Sequence, residues 1–256
     1  MKLHDTQITN YLTFCKSQKC LDVKTIRAYK IDLTHFASTM PAETSLYDIA
    51  SRQIESYIAH LHSIYKPKTA KRKIASLKAF FHYCEFYEFI ERNPFDKIQI
   101  RFREPVILPK TIPLQTLELF LSTIYNQRQL ATTSYQQKNA LRDAAVIELL
   151  FATGIRISEL CSLKSCDVNL NDNFVLIYGK GSKERKLQIG NDNVLETLNE
   201  YKNTFSKEIE NCGHFFANQS GKPLSDQSVR RMIQKYASLA GIDQHITPHM
   251  FRHTFA

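Results

Sequence analysis

Ala152-Thr153-Gly154-Ile155-Arg156-Ile157-Ser158-Glu159-Leu160 and, far downstream, Thr247-Pro248-His249-Met250-Phe251-Arg252-His253-Thr254 decide how this chain is read. Each stretch sets an arginine in a tightly turned helical segment. In the second, His249 and Arg252 stand three apart and share one helix face, with His253 beside them. Phe251 and Phe255 fall on the opposite face and are expected to anchor it in the core. Two arginines and a histidine brought together make a phosphate clamp, because guanidinium is a planar, always-charged fork that matches phosphate oxygens. Between the two stretches lies Tyr178-Gly179-Lys180-Gly181-Ser182-Lys183-Glu184-Arg185, which reads as a hairpin turn carrying lysines.

Each residue alone has a plainer reading. Arg156 and Glu159 have the spacing of an ordinary surface ion pair. Lys180 and Lys183 suit any soluble hairpin tip. His249, beside a proline and near a phenylalanine, suits a satisfied core histidine. The three motifs carry weight through their joint occurrence and order.

Outward from these motifs, the chain divides. Residues 4–92 read as helical. Asp22 caps a predicted helix over Val23–Ser38 with Ile26, Tyr29, Leu33 and Phe36 on its apolar stripe. Ser51 starts another, with Ile54, Tyr57, Ile58 and Leu61 inward. Pro67 opens a third that runs to about Phe89. Ile74, Leu77, Phe81 and Cys84 line one side of that helix; Lys68, Lys71, Arg72, Lys78 and His82 line the other. One apolar and one basic face suit a helix lying along a DNA backbone, although a solvated surface gives the same pattern. Pro94, Pro105, Pro109 and Pro113 mark a linker. The division is therefore a helical domain over 1–95, a linker over 96–112, and a second domain over 113–256.

In the second domain the pattern predicts a helix over Leu114–Tyr125, a polar loop over Asn126–Lys138, and a buried helix over Leu141–Thr153 broken by Gly154. Asn169–Gly190 is the one convincing β region, with Phe174–Tyr178 as an apolar strand and alternation at Arg185, Leu187 and Ile189 on its return. Helices follow over Val194–Phe205, after Ser225 or Asp226 to Leu239, and from Pro248. The fold class is mainly α with a small β-sheet.

Composition narrows the partners. Net charge is +9, and residues 1–110 hold 18 Lys/Arg against 11 Asp/Glu. A basic first half suits a polyanion, nucleic acid before membrane. No apolar run approaches the length of a membrane-spanning helix, and Met1–Asn10 is too polar for a signal peptide. Cys15, Cys20, Cys84, Cys161, Cys166 and Cys212 show no metal-binding spacing and read as reduced thiols of a cytoplasmic protein. No tight carboxylate cluster suits Mg²⁺, so neither metal nor cofactor is predicted.

The stretch around Arg156, the Gly-Lys-Gly hairpin and the final His-x-x-Arg-His-Thr-Phe-Ala resemble the tyrosine recombinase (phage-type integrase) family over essentially the whole chain. Their order and spacing resemble its Xer-like members most. The resemblance implies a helical core-binding domain followed by an α+β catalytic domain. It matches Arg156, Lys180, His249 and Arg252 to the family's catalytic arginine, lysine and His-x-x-Arg, with Glu159 in a supporting role. Arg156 and Arg252 then stabilise charge on the phosphoryl oxygens. His249 shares proton transfer or donates a hydrogen bond, and Lys180 protonates the departing 5′-oxygen. The segment Thr69–Phe81 resembles the family's DNA-facing helix, which makes Lys68, Lys71, Arg72 and Lys78 DNA-binding candidates, with Thr25, Arg27 and Lys30 on the earlier helix.

The resemblance also implies a tyrosine that forms a 3′-phosphotyrosyl link, and four protomers, alike or of two kinds, acting on two sites in double-stranded DNA. The family's last histidine and its tyrosine follow His-Thr-Phe-Ala, and the sequence stops at Ala256. The chain is therefore expected to be incomplete at the C-terminus, to bind DNA and to lack cleavage activity. The competing expectation is a naturally short DNA-binding accessory protein or competitor that breaks no strand.

Overall fold

The computed structural model describes residues 3–41, 44–100, 102, 108, 110–179 and 184–255. Two compact units divide the chain, Met1–Val106 and Ile107–Ala256.

The first unit is helical: α1 (Leu3–Ser17), α2 (Val23–Thr39), α3 (Ser51–Ile64) and α4 (Pro67–Phe86). The Asp22 side chain caps α2 by accepting from the Lys24 N–H at 2.7 Å. Leu33 and Phe36 of α2 are buried, as are Ile54, Tyr57, Ile58 and Leu61 of α3. Helix α4 packs against α1, α2 and α3 and forms the spine of this unit. Its buried stripe holds Ala70, Ile74, Leu77, Phe80, Phe81 and Cys84, and Tyr11 of α1 meets Phe80 edge-on at 5.5 Å. The helix stops at Phe86, three residues short of expectation. Glu88 turns to φ +58°, and the Phe89 N–H reaches back to the Cys84 carbonyl at 2.8 Å, a left-handed cap made without glycine.

The second unit contains α5 (Leu114–Gln129), α6 (Ser134–Thr153), α7 (Ile157–Ser162), β1 (Val168–Asn169), β2 (Phe174–Tyr178), β3 (Glu184–Gln188), α8 (Asp192–Thr204), α9 (Ser206–Cys212), α10 (Asp226–Leu239) and α11 (Pro248–Phe255). Its strands form one antiparallel sheet in the order β1-β2-β3, with Val175 opposite Leu187 and Ile177 opposite Arg185. Helix α6 is the core element: Ala144, Ala145, Val146, Ile147, Leu149 and Leu150 are all buried, and α5, α8 and α11 pack around it.

The polar loop expected over Asn126–Lys138 shrinks to 130–133. Helix α5 continues to Gln129, and α6 starts at Ser134. Thr133 and Gln136 cap α6 reciprocally: the Gln136 N–H donates to Thr133 Oγ1 at 3.2 Å, and the Thr133 N–H donates to Gln136 Oε1 at 3.3 Å. The polar residues there are solvated helix ends. Helix α9 was not legible because only Ile209 of its seven residues is buried.

Gly154 ends α6 at φ +56°, a left-handed conformation that L side chains rarely adopt. Phe255 lies over it, so that an added Cβ would meet Phe255 Cδ1 at 2.7 Å. The expectation that Phe251 and Phe255 both anchor α11 in the core holds for one of them. Phe251 is fully buried and meets Phe120 edge-on at 5.6 Å. Phe255 remains 54% exposed, because it covers a glycine backbone rather than entering a pocket of side chains.

Candidate active site

The left-handed turn at Gly154 redirects the chain so that Arg156 becomes the N-cap residue of α7, in extended conformation. Its N–H donates to Glu159 Oε2 at 2.8 Å, and its Nη1 donates to Glu159 Oε1 at 2.8 Å. Arg156 is thus gripped at backbone and side chain by one carboxylate. Glu159 itself is buried, while half of the Arg156 side-chain surface stays open.

Helix α11 brings the second arginine to the same place. Arg252 Nη1 donates to the Gly154 carbonyl at 2.6 Å. The last carbonyls of a helix lack intrahelical partners and carry its negative end, so they suit a cation. Thr254 Oγ1 accepts from the Ile112 N–H at 2.9 Å and ties α11 to the chain entering α5. His249 lies three residues before Arg252 and is exposed, as is His253. Among the described residues His249 has no hydrogen-bond partner, which leaves its ring nitrogens for a ligand. It is not the satisfied core histidine that its neighbours suggest.

A third arginine joins them. Arg185 of β3 donates through Nη2 to Glu159 Oε2 at 2.6 Å and through Nη1 to Glu159 Oε1 at 3.2 Å. Glu159 therefore holds two guanidiniums, and both of its oxygens are engaged. Burial pushes the Glu159 carboxyl up, but the hydrogen bonds from Arg185 and Arg156 outweigh it and leave the group below its ordinary value. Arg185 was not singled out from sequence, yet the signal existed. Its alternation with Leu187 and the buried Ile189 puts a charge on the inward face of the strand, where it requires a partner.

Lys180 lies outside the described residues. What is described is the base of its hairpin, closed by the pairing of Tyr178 with Glu184. Arg185 sits at that base, so Glu159 links the hairpin to the turn that carries Arg156.

In the first unit, Arg27 and Lys30 of α2 and Lys68, Lys71, Arg72 and Lys78 of α4 are exposed, with Thr25 half-buried. Three of these four exposed α4 cations have identifiable neighbours. Lys71 and Lys78 lie over the rings of Phe102 and Phe95, at 5.9 and 5.6 Å. Arg72 forms an ion pair with Asp32 of α2. The same carboxylate accepts from Lys73 Nζ at 3.3 Å and from Ser76 Oγ at 2.8 Å. Lys73 is buried, unlike its neighbours in the basic run. Its spacing from Ala70, Ile74 and Leu77 puts it on the apolar stripe, and that was the legible sign.

Among the described residues no group of three or more His, Cys, Asp or Glu is arranged to hold a metal ion. None of the described helices is long and apolar enough to cross a membrane.

Known proteins resemble this chain in sequence and fold. The phage integrase N-terminal SAM-like domain matches residues 8–85, and the phage integrase family matches residues 124–256. A tyrosine recombinase of Agathobacter rectalis is 66% identical over 254 residues, spanning 98% of this chain and 82% of that protein. Tyrosine recombinase XerD of Listeria innocua is 33% identical over 256 residues, spanning 97% of this chain and 83% of its own. A lambda integrase dimer bound to a COC′ core site shares the fold, with a TM-score of 0.72 at 18% identity over 99% of this chain and 85% of that one. The chain belongs to the phage integrase family of tyrosine recombinases.

Proposed function

We propose that this chain is the DNA-binding and phosphate-clamping body of a site-specific DNA recombinase of the cytoplasm. The observation that carries the reading is the convergence of Arg252, on the Gly154 carbonyl, with Arg156, on Glu159. Arg252 reaches from a distant part of the chain to the turn that leads into Arg156, and an exposed histidine lies three residues before Arg252 on α11.

The relatives are tyrosine recombinases, and the solved neighbours include lambda integrase bound to a COC′ core site and to DNA. On that basis the substrate is double-stranded DNA. The basic faces of α2 and α4 grip its backbone, chiefly through Arg27, Lys30, Lys68, Lys71, Arg72 and Lys78, with Thr25 beside them. A phosphodiester enters the clamp, where Arg156 and Arg252 stabilise the charge that grows on its non-bridging oxygens. His249 donates to one of those oxygens or relays a proton, and Lys180 supplies the proton taken by the departing 5′-oxygen. The attacking tyrosine oxygen replaces the 5′-oxygen on phosphorus. A 5′-hydroxyl of a partner strand later reverses the exchange, so bond energy is kept throughout. Recombination by this route uses four protomers on two DNA sites.

We assign the nucleophile to none of this chain's tyrosines. Tyr236 is buried and donates to Asp143 at 3.2 Å; Tyr201 is buried and donates to the Phe215 carbonyl at 3.0 Å. Tyr125 donates to Glu148. By itself the chain is proposed to bind DNA without breaking it.

Titration of labelled duplex across a salt series, followed by denaturing gels, tests the reading. Expected are salt-sensitive binding and no protein-linked DNA. Loss of all binding at low salt overturns the function. A covalent adduct overturns the assignment of the nucleophile.

A further inference from the structure

The buried charges of the first unit are arranged in an order that simple fold stability does not require. Asp32 on α2 is 2% exposed. Oδ2 takes Arg72 and Ser76, and Oδ1 takes Lys73. Lys73 is itself buried, with Nζ 5.0 Å from the centroid of the Tyr65 ring. Arg72 differs from both: 47% of its side-chain surface is open to solvent. One anion thus serves two cations, of which one is sealed and one faces out.

The stoichiometry matters. A lone Asp32–Arg72 pair would be neutral and would attract a phosphate only weakly. With Lys73 balancing Asp32 inside the unit, Arg72 keeps its charge for whatever approaches from solvent. Its direction is also set. A guanidinium bound at Nη1 by a buried carboxylate has given up most of its rotamer freedom during folding, so less remains to be lost on binding. A guanidinium has enough N–H donors to satisfy Asp32 and a second oxyanion together. Lys68, one helical turn earlier on the same face, extends the cationic surface.

We propose that Asp32, compensated by Lys73, is a positioning residue that holds the Arg72 guanidinium ready for a backbone phosphate of duplex DNA. The proposal rests on the DNA-binding reading above and adds a residue that touches no DNA itself.

The test measures the affinity of this chain for a mixed-sequence duplex over a salt series. Arg72→Gln is expected to weaken binding roughly tenfold and to lower the slope of log K against log salt by about one. The double variant Asp32→Asn/Lys73→Met removes both buried charges together, so that neither is left unpaired. It is expected to melt as a folded unit and to bind about two- to tenfold more weakly at every salt concentration, with the slope unchanged, because an untethered arginine must be ordered at each encounter. In an Arg72→Gln background the same double change is expected to cost nothing further.

Wild-type affinity in the double variant overturns the proposal. So does an equal loss in both backgrounds, which marks Asp32 as merely structural. If the double variant fails to fold, Ser76→Ala, which loosens Asp32 without touching its charge, is read in the same way: a loss present with Arg72 and absent without it supports the proposal, and any other pattern overturns it. Should the wild-type chain ignore duplex DNA at low salt, the parent reading fails instead, so the two failures are distinct.

Discussion

Replacing Glu159 by glutamine removes a single charge from the point where Arg156 and Arg185 meet, and the cost can be worked from the structure. The carboxylate is buried, and it accepts two bonds from Arg185, one from the Arg156 side chain and one from the Arg156 N–H. Hydrogen bonds to charged groups contribute about 1.5–3 kcal/mol each, and breaking a fully buried ion pair costs about 3–5 kcal/mol. Both arginines lie at the surface, however, with 49% and 33% of their side chains exposed. Water replaces part of what they lose. Glutamine also retains one oxygen acceptor. The expected loss is therefore about 2 kcal/mol at neutral pH, a fall of about 4–8 °C in the melting of a unit of this size.

The pH dependence is the sharper part. The folded-state pKa of Glu159 lies below its ordinary value. Its stabilisation is full above the unfolded value of about 4.3 and disappears as pH falls through the folded one. The gap between wild type and Glu159→Gln should be largest near neutrality and close in acid. Urea unfolding of both proteins at several pH values measures it, with a probe confined to the second unit so that the two units are not averaged. A gap that is absent at neutral pH, or that persists unchanged below the carboxylate range, would refute the reasoning about which charges Glu159 holds.

Three further outcomes follow from the same geometry. Asp32→Ala strands the buried Lys73 charge, and denaturant melts of the first unit should show a loss of about 3–5 kcal/mol. Gly154→Ala places a Cβ at φ +56° and within 2.7 Å of Phe255. It should cost more than about 1 kcal/mol by urea unfolding, and hydrogen exchange should quicken along α11. Arg185→Lys keeps the charge but has no planar fork for the two oxygens of Glu159; a loss of about 1 kcal/mol is expected in the same melts.

The sequence was most legible where periodicity and capping agreed. Asp22, Ser51 and Pro67 mark helix starts in the first unit, and Ser225 caps α10 in the second through the Ser228 N–H at 3.2 Å. The arginine motifs were legible because residue types and order carry the chemistry. The two arginine stretches were expected to come together, and the bond from Arg252 to the Gly154 carbonyl, two residues before Arg156, joins them. What escaped was long-range pairing. Lys73 sits within a basic run, and nothing local says that Asp32 arrives from another helix to neutralise it. The alternation of β3 marks Arg185 as inward-facing, but its partner Glu159 lies 26 residues earlier in the chain and cannot be read from it. Polarity misled over 126–138, because a solvated helix end and a loop share composition, and only the reciprocal Thr133–Gln136 bonds distinguish them.

The acceptor for Arg252 is a main-chain oxygen. Substitution at position 154 can bend that carbonyl away but cannot remove it, and no exchange of side chains between the two positions can substitute one pairing for another. Correlated changes across an alignment record contacts between side chains that adapt to each other. This contact has only one partner able to vary. Two distant segments of the second unit are thus joined at a point that coevolution-based contact inference is poorly equipped to detect.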